Sequence, residues 1–343
     1  MTLKKICVVP GARNVDRAIG GPATFVQQLI IGLQKRGYEI NYDLDDKHND
    51  IVFIINATRE MGKLFAIKKR GVKIVQRLGS IHQLHKYVNV GVKGYLLGEI
   101  RSRMIRVVRS RLADRLVYQS QFVKNVWDRK FKEPRTPACV IYNGVDLEKF
   151  NPRGDRYLSP AEICILSVEG RQGNDPFDIG VNFIQALQKN SQKTTSIELL
   201  MLGELCENVG ERYKNFPFVN LAGNIERARM PYYYRGGNLM ISTDIIDAAC
   251  PNSVLEAMAC GVPVIGFRVG ALPELVGDLA GKCVDYRGNP WKNEPPGNFI
   301  GLASATEEIL ADWDRYSMCA RNLAQEMFSA DRMVESYLQV FLE

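Results

Sequence analysis

Short apolar runs and helical repeats alternate along the first half of the chain. The run "KKICVVPG" predicts a buried strand, and "TFVQQLIIGLQKRG" predicts a helix because Phe25, Leu29 and Leu33 recur at helical spacing. Further strands are predicted at "YEINYDL", "DIVFIINA", "VKIVQRLG", "RLVYQS" and "ACVIYNGV". This alternation of strands and helices predicts a parallel sheet covered on both faces.

The alternation restarts after a segment rich in proline, glycine and charge, "FNPRGDRYLSPAE". Strands are then predicted at "ICILSVEG", "IELLMLG", "FVNLAG", "NLMISTD" and "PVIGF". We therefore expect an α/β chain of two Rossmann-like, doubly wound domains that face a central cleft. The N-terminal domain is expected over residues 1–152, with the last helix, 329–343, packed back onto it, and the C-terminal domain over residues 153–328.

The composition is that of a globular protein of 343 residues, with 46% apolar and 24% charged residues. The eight cysteines form no C-x-x-C pair, and most lie in apolar runs. This pattern indicates reduced core thiols in a cytoplasmic protein and no disulfide framework or zinc site. We expect neither a signal peptide nor a membrane span, because every apolar run is too short for one.

Charge divides the chain. Residues 1–150 carry 28 Lys and Arg against 13 Asp and Glu, a net charge of +15, whereas the remainder carries 17 against 25, a net charge of −8. The first half is therefore expected to meet an anionic partner, with a merely solubilising face as the alternative.

One basic segment, "RSRMIRVVRSRLADR", places Met104, Val108 and Leu112 four residues apart among arginines. Such a helix fits an anionic membrane surface, but packing of the apolar stripe into the core is the favoured alternative. No nucleic acid is expected, because no recognition motif accompanies the charge.

Two helix starts are candidates for ligand binding. Gly20 and Gly21 precede the first helix, where free amides favour a phosphate, although a tight loop also uses such glycines. In "DAACPNSVLEAMACGVPVIG", Asn252 or Ser253 is the expected cap of a helix. Glu256 lies about one turn into it, where an acid can accept hydrogen bonds from paired sugar hydroxyls. A first-turn acid that only complements the helix dipole is the alternative.

Several segments resemble those of a known enzyme family: "GGPATFVQQLIIGLQKRGYEI", "QSQFVKN", "VIYNGVDLEKFNP", "PNSVLEAMACGVPVIGFRVGALPELV" and the closing helix. Together they resemble retaining glycosyltransferases of the GT-B fold, family 4, over nearly the whole chain. The resemblance implies transfer of a sugar from a nucleotide-sugar donor, held mainly by the second domain, to an acceptor held by the first. It implies neither a metal nor a further cofactor, since protein cations and helix termini stabilise the diphosphate leaving group.

By position, the resemblance assigns Glu256 to the ribose of the donor nucleotide. Arg171 and the amides near Gly21 and Ser253 are expected to hold the diphosphate. The full set of expected donor-binding residues is Gly20, Gly21, Gly170, Arg171, Asn252, Ser253, Val254 and Glu256.

The sequence departs from the family pattern at two places. The family has two glutamates separated by seven residues; the second is Glu256, and the first falls on Ala248, one residue after Asp247. We expect Asp247 to replace the missing acid near the donor sugar, because a loop can absorb one extra position. Loss of that role is the alternative. The family's lysine after Arg171 is also missing, since the next lysine is Lys189.

The resemblance places contacts to the acceptor or to the donor sugar in the loop "VQRLGSIHQLHK". His82 with Arg77 is the preferred catalytic pair, since a histidine can donate to a sugar hydroxyl or exchange a proton with the acceptor. A solvated loop histidine is the alternative, and His85 lies close by in the sequence.

The sequence therefore predicts a retaining glycosyltransferase that acts on a glycan or lipid-linked acceptor in bacterial polysaccharide or glycoconjugate synthesis. Peripheral attachment to the inner face of a membrane is left open. A non-catalytic relative that binds a nucleotide sugar or glycan and acts through a partner is the leading alternative, because the first glutamate and the lysine are missing. A nucleotide-sugar epimerase is a weaker one, and a dinucleotide oxidoreductase is disfavoured by the lack of G-x-G-x-x-G.

Overall fold

The computed structural model of the chain describes residues 4–9, 21–81, 86, 90–172, 174–190, 195–206, 209, 211–245, 248–292 and 294–343. These residues form two compact units. Unit 1 comprises Met1–Gly144 together with Ala330–Glu343, and unit 2 comprises Val145–Ser329.

Unit 1 contains a sheet of six parallel strands. They are β1 (Lys5–Val9), β2 (Glu39–Asn41), β3 (Ile51–Ile55), β4 (Lys73–Leu78), β5 (Arg115–Tyr118) and β6 (Ala138–Val140). Their order across the sheet is β2-β1-β3-β4-β5-β6, and every described pairing is parallel. The central strands are apolar along most of their length, because a parallel sheet between helices is buried on both faces.

The helices that follow these strands are α1 (Gly21–Lys35), α2 (Met61–Lys69), α3 (Gly91–Val107) and α4 (Gln121–Phe131). A π-helical turn, Val108–Leu112, continues directly from α3. The side chain of Ser120 caps α4 by accepting a hydrogen bond from the Val123 amide at 3.2 Å.

Unit 2 contains the second sheet of six parallel strands. They are β7 (Ile163–Gln172), β8 (Ile197–Leu205), β9 (Val219–Gly223), β10 (Leu239–Ser242), β11 (Val264–Phe267) and β12 (Gly281–Val284). Their order is β12-β11-β10-β7-β8-β9. The two sheets confirm the predicted α/β class.

The helices of unit 2 are α5 (Asn174–Asn190), α6 (Met230–Gly236), α7 (Asn252–Ala259), α8 (Leu272–Val276), α9 (Phe299–Ala311) and α10 (Trp313–Met327). Fully buried side chains of α5 and α9 cover the sheet, among them Phe177, Phe183 and Leu302. Burying such a side chain contributes roughly 1.5–3 kcal/mol, so these contacts dominate the stability of the unit.

The last helix, α11 (Ala330–Leu342), belongs to unit 1. Its Tyr337 and Phe341 pack edge-on against Phe53 of β3, with ring centroids 5.4 and 5.5 Å apart. Gly32 of α1 permits a close approach to this helix, because a Cβ there would lie 2.4 Å from Cγ2 of Val334.

Candidate functional site

The chain order of the unit 2 sheet reverses between β7 and β10. Strands β8 and β9 lie on one side of this pair, and β11 and β12 on the other. Ligands of doubly wound sheets bind in the crevice beyond the carboxyl ends of the strands at such a switch point. The segments after β7 and β10 are therefore the first place to look for a site.

Helix α7 follows β10 and differs at its start from the prediction. Pro251 is the cap residue, in extended conformation, and Asn252 is already the first helical residue. The expected cap at Asn252 or Ser253 is therefore wrong by one or two positions. Proline fits because its fixed φ suits an extended residue at the edge of a helix.

The end of α7 is fixed by Gly261, whose φ is +76°. Its amide donates to Met258 O at 2.9 Å, and the Val262 amide donates to Ala257 O at 2.9 Å. This pair of bonds is a Schellman motif, which needs a left-handed residue and therefore favours glycine. The motif turns the chain sharply into β11.

Glu256 is buried on α7, with 4% of the residue exposed. Arg227 Nη2 donates to Oε1 at 2.5 Å, and Tyr234 Oη donates to Oε2 at 3.2 Å. Burial raises the pKa of the Glu256 carboxyl, and the positive charge of Arg227 opposes that rise. The ion pair thus favours the charged form in a site that otherwise disfavours it.

A second cation and an aromatic ring complete the surroundings of Glu256. The guanidinium of Arg227 lies 5.4 Å from the centroid of the Phe150 ring, and Lys149 Nζ lies 5.8 Å from it. Burial lowers the pKa of Lys149, as does the nearby charge of Arg227. Two cations near one carboxylate leave an excess of positive charge, which suits an anionic ligand.

This arrangement can bind hydroxyl groups. A carboxylate has about four lone-pair sites, so the bonds from Arg227 and Tyr234 leave Glu256 able to accept further hydrogen bonds. The side chain of Arg227 is 37% exposed, so the cluster reaches the surface of unit 2.

The other predicted donor-binding residues of unit 2 lie at the end of β7 and at the start of α7. Gly170 is exposed, and a Cβ there would meet no atom of the described residues within 4 Å. Arg171 pairs by its backbone with Glu204, and its side chain lies outside the described part of the structure. Ser253 is half-buried, whereas Val254 is fully buried. Any contact of Val254 with a ligand therefore comes from its backbone.

Ala248, the position at which the family pattern has its first acid, is tightly packed. Asp247 lies outside the described residues. Ala248 is 2% exposed, and its carbonyl accepts from the Ala271 amide at 2.7 Å. Gly270, with φ +60°, is so close that a Cβ on it would lie 2.9 Å from the Ala248 Cβ.

A carboxyl that the sequence analysis did not single out lies at the switch point. Glu169 is near the end of β7, and Thr243 directly follows β10. Thr243 Oγ1 donates to Glu169 Oε1 at 2.6 Å. Burial raises the pKa of Glu169 to about 7.

In unit 1, Arg77 is buried at the carboxyl end of β4. Its Nη2 donates to Asn143 Oδ1 at 2.7 Å, and its guanidinium stacks 3.7 Å from the centroid of the Phe25 ring. Among the described residues, its Nε has no hydrogen-bond partner. His82 and His85 lie outside the described part, so the pairing of His82 with Arg77 stays a prediction. Gly20 lies outside it too, and α1 begins at Gly21.

The arginine-rich segment packs as the favoured alternative predicted. Val108 and Leu112 are buried in unit 1. Arg109 is also buried, and donates to Tyr118 Oη at 2.9 Å and Asp128 Oδ1 at 2.7 Å. Two of the three residues of the apolar stripe are thus part of the core, whereas Met104 on α3 is only half-buried.

An exposed apolar surface lies instead on the first half of α3, where the sequence analysis did not expect one. Its members are Val92, Tyr95, Leu96, Leu97 and Ile100. The helix has no buried residue, and Val92 is 80% exposed. Across the described ranges, no helix is long and apolar enough to cross a membrane.

The partners of Glu256 were not predicted from the sequence. Lys149 is part of "NGVDLEKFNP", and Arg227 part of "LAGNIERARM". Tyr234 belongs to a run of three tyrosines whose other members pack around Tyr157. The sequence offered one signal for these partners. Glu256 is an acid inside an otherwise apolar helix, and a buried acid needs a cation from another segment of the chain.

Comparison with known proteins gives a family match in unit 2. Residues 170–312 match the family model described as glycosyl transferases group 1. A curated relative, D-inositol 3-phosphate glycosyltransferase from Saccharomonospora viridis, is 27% identical over 228 residues, which cover 61% of this chain and 52% of the relative. N-acetyl-alpha-D-glucosaminyl L-malate synthase from Bacillus anthracis is 32% identical over 95 residues, which cover 26% of this chain and 22% of the relative. The chain therefore spans about half or less of the length of these relatives.

Solved structures are similar over nearly the whole chain. Sucrose-phosphate synthase from Thermosynechococcus elongatus gives a TM-score of 0.72 at 16% identity and covers 98% of both chains. The Anabaena protein HepE, solved in complex with UDP and glucose, gives 0.67 at 14% identity, with 98% of this chain and 99% of that chain covered. At these identities the similarity concerns the fold.

Proposed function

We propose that this chain, a GT-B protein that carries the glycosyl transferases group 1 domain over residues 170–312, transfers a sugar from a nucleotide-sugar donor. The match over residues 170–312 and the shared GT-B fold agree with the resemblance to glycosyltransferases that the sequence predicts. Transfer proceeds with retained configuration to a glycan or lipid-linked acceptor, in polysaccharide or glycoconjugate synthesis. The donor binds to the region 153–328 and the acceptor to the region 1–152.

The observation that carries this proposal is the Glu256 carboxylate, which Arg227 and Tyr234 hold in place on α7. Its remaining lone pairs suit the adjacent 2′ and 3′ hydroxyls of a ribose. The relative from Saccharomonospora viridis is a glycosyltransferase by name, and HepE was solved with UDP and glucose. Both fit a nucleotide-sugar donor here.

The diphosphate is assigned to Arg171, to the amides at the start of α7 and to those at Gly21. Arg227 and Lys149 add positive charge near the nucleotide, which offsets the missing family lysine. Asp247 is assigned to the donor sugar, and His82 with Arg77 to the acceptor side. No metal takes part in this scheme, because cations of the chain stabilise the leaving group.

A panel of UDP-, GDP- and ADP-sugars tests the proposal. At least one donor is expected to raise the Tm of the wild type, since a ligand that binds only the folded state stabilises it. The same donor should be turned over to its nucleoside diphosphate. Binding without turnover contradicts the enzyme and favours the non-catalytic relative; the absence of both contradicts nucleotide-sugar binding as well.

Attachment to an anionic membrane is a second part of the proposal, and the exposed apolar surface of α3 supports it. The same helix exposes Lys93, Arg101 and Arg103. Its one acid, Glu99, is paired with Lys86 at 2.8 Å. Apolar side chains flanked by cations bind the interface of anionic bilayers, and such a surface would bring a lipid-linked acceptor to unit 1.

Liposome flotation tests this attachment. Wild type should float with vesicles that contain phosphatidylglycerol and not with pure phosphatidylcholine. Leu96→Asp should abolish flotation, whereas Ile300→Asp, at a site that is 72% exposed on α9, should not. Equal flotation of both variants, or none by the wild type, contradicts membrane attachment through α3.

A further inference from the structure

Strand β7 contains one residue more than its neighbour at its carboxyl end. Val168 pairs with Leu202 and Arg171 with Glu204, so three steps along β7 match two along β8. The irregularity falls on Glu169 and Gly170. Such bulges change the direction of a side chain and are frequent next to active sites.

The partner of Glu169 comes from the other strand of the switch point. Thr243 follows β10 directly, and its hydroxyl donates to the carboxyl at 2.6 Å. The bond therefore joins the two strands between which the chain order reverses. Glu169 as a whole is half-buried, and Oε1 is the carboxyl oxygen that accepts the bond from Thr243.

The position that should hold an acid near the donor sugar cannot do so. Ala248 has a methyl group, and that methyl is packed against Gly270. Ala248 itself therefore supplies no carboxylate to a sugar bound at this edge.

We propose that Glu169, oriented by Thr243, binds hydroxyl groups of the donor sugar. This inference rests on the proposed function and assigns the sugar subsite within it. The ionised carboxylate accepts hydrogen bonds from the sugar hydroxyls, while the Thr243 hydroxyl occupies one oxygen and fixes the side chain. Gly170 has no Cβ beside the carboxyl, and no atom of the described residues fills the place that a Cβ there would take.

The charge that acts on Glu169 is that of Asp244, next to Thr243, and it adds to the rise of the Glu169 pKa. Two other acids lie on the neighbouring elements: Glu204 pairs by its backbone with Arg171, and Asp175 is in the first turn of α5. Arg171 is the cation nearest in sequence. Burial and the charge of Asp244 raise the pKa of the Glu169 carboxyl to about 7, so its affinity for hydroxyl donors should rise between pH 6 and pH 8.

The experiment compares a nucleotide sugar with its own nucleoside diphosphate. The best-bound donor of the UDP-, GDP- and ADP-sugar panel and the matching diphosphate are titrated calorimetrically at pH 6 and pH 8. The Kd of the diphosphate divided by the Kd of the nucleotide sugar measures how much the sugar contributes to binding. At pH 8 we expect this ratio to be about tenfold higher in the wild type than in Glu169→Gln. The ratio should rise from pH 6 to pH 8 in the wild type and stay constant in Glu169→Gln.

Two further substitutions keep the test independent of folding. Thr243→Val should reduce the ratio, and Thr243→Ser, which keeps the hydroxyl, should restore it. Glu198→Gln is the matched control, because Glu198 is a buried carboxyl of β8 that is bonded to Tyr157 and Asn220. Its ratio should equal that of the wild type.

The outcomes separate the two proposals. A wild type that binds donors, with an unchanged ratio in Glu169→Gln and in Thr243→Val, overturns the sugar subsite and leaves the proposed function standing. A wild type that binds no nucleotide sugar of the panel overturns the proposed function, and this inference with it.

Discussion

Two glutamates of unit 2, Glu256 and Glu169, are held by different partners. Glu256 on α7 accepts hydrogen bonds from a guanidinium and a phenol. Glu169 on β7 accepts one from a hydroxyl. Both carboxyls have raised pKa values because of burial, but a cation opposes the rise only at Glu256.

The difference shows how one residue type can serve two tasks in one unit. A carboxylate held by a cation keeps its geometry whether or not a ligand is bound, which suits the ribose that all donors share. The charge and the orientation of a carboxyl held by a hydroxyl alone depend on pH and on the bound ligand. That behaviour suits the sugar, which differs between donors.

The largest expected effect comes from removal of Glu256. Glu256→Ala should lower donor turnover at limiting donor by about a hundredfold, because two hydrogen bonds to a charged acceptor are lost. Release of nucleoside diphosphate measures it. Glu198→Gln should retain the wild-type rate; a similar loss in both variants would show that any buried carboxyl in unit 2 has this effect.

Removal of the cation should destabilise the protein. Arg227→Gln leaves the Glu256 carboxylate buried without its ion pair, at a cost of about 2 kcal/mol of unfolding free energy at pH 8. The loss should be smaller at pH 5, where Glu256 can take up a proton. Urea unfolding at both pH values measures it, and a loss that does not depend on pH would contradict an ion pair.

The pH dependence of stability should differ at Glu169. Its folded-state pKa of about 7 lies above the unfolded value near 4.5. The folded state therefore holds the proton longer, and wild-type stability should fall as pH rises from about 4.5 to 7. Glu169→Gln should remove this fall and be about 1–2 kcal/mol more stable than wild type at pH 8, and equal at pH 4. Urea unfolding across this pH range measures both proteins. If their unfolding free energies change with pH in the same way, this expectation is contradicted.

The smallest expected effect is at Tyr234. Tyr234→Phe removes the bond to Glu256 and leaves the ring in place against Phe150, so about 1 kcal/mol of unfolding free energy should be lost. Donor turnover should change less than threefold, because Arg227 still holds the carboxylate. A loss of turnover as large as that of Glu256→Ala would show that Tyr234, and not Arg227, mainly holds the Glu256 carboxylate.

Most of the fold could be predicted because its strands are continuous apolar runs and α1 has a clear helical period. Glu256 could be singled out for a similar local reason, since it is an acid between a predicted helix start and the turn at Gly261 and Pro263 that leads into the next strand. The cap was misplaced because Pro251 and Asn252 are both common at helix starts, and only backbone angles separate them.

The remaining features depend on tertiary structure. Arg227 is 29 residues from Glu256 along the chain, and no local spacing links them. Glu169 becomes notable only when the register of β7 against β8 reveals its extra residue. The apolar side chains of α3 have the helical period of a core helix, and only the packed structure shows that they are exposed.

The central claim, that Glu256 binds the ribose of the donor, is tested most directly with sugar-modified nucleotides. Kd values are measured for the best-bound nucleoside diphosphate and for its 2′,3′-dideoxy analogue, in wild type and in Glu256→Ala. The wild type should prefer the ribonucleotide by about tenfold or more, and Glu256→Ala should bind both equally. The same preference in both proteins would contradict the claim.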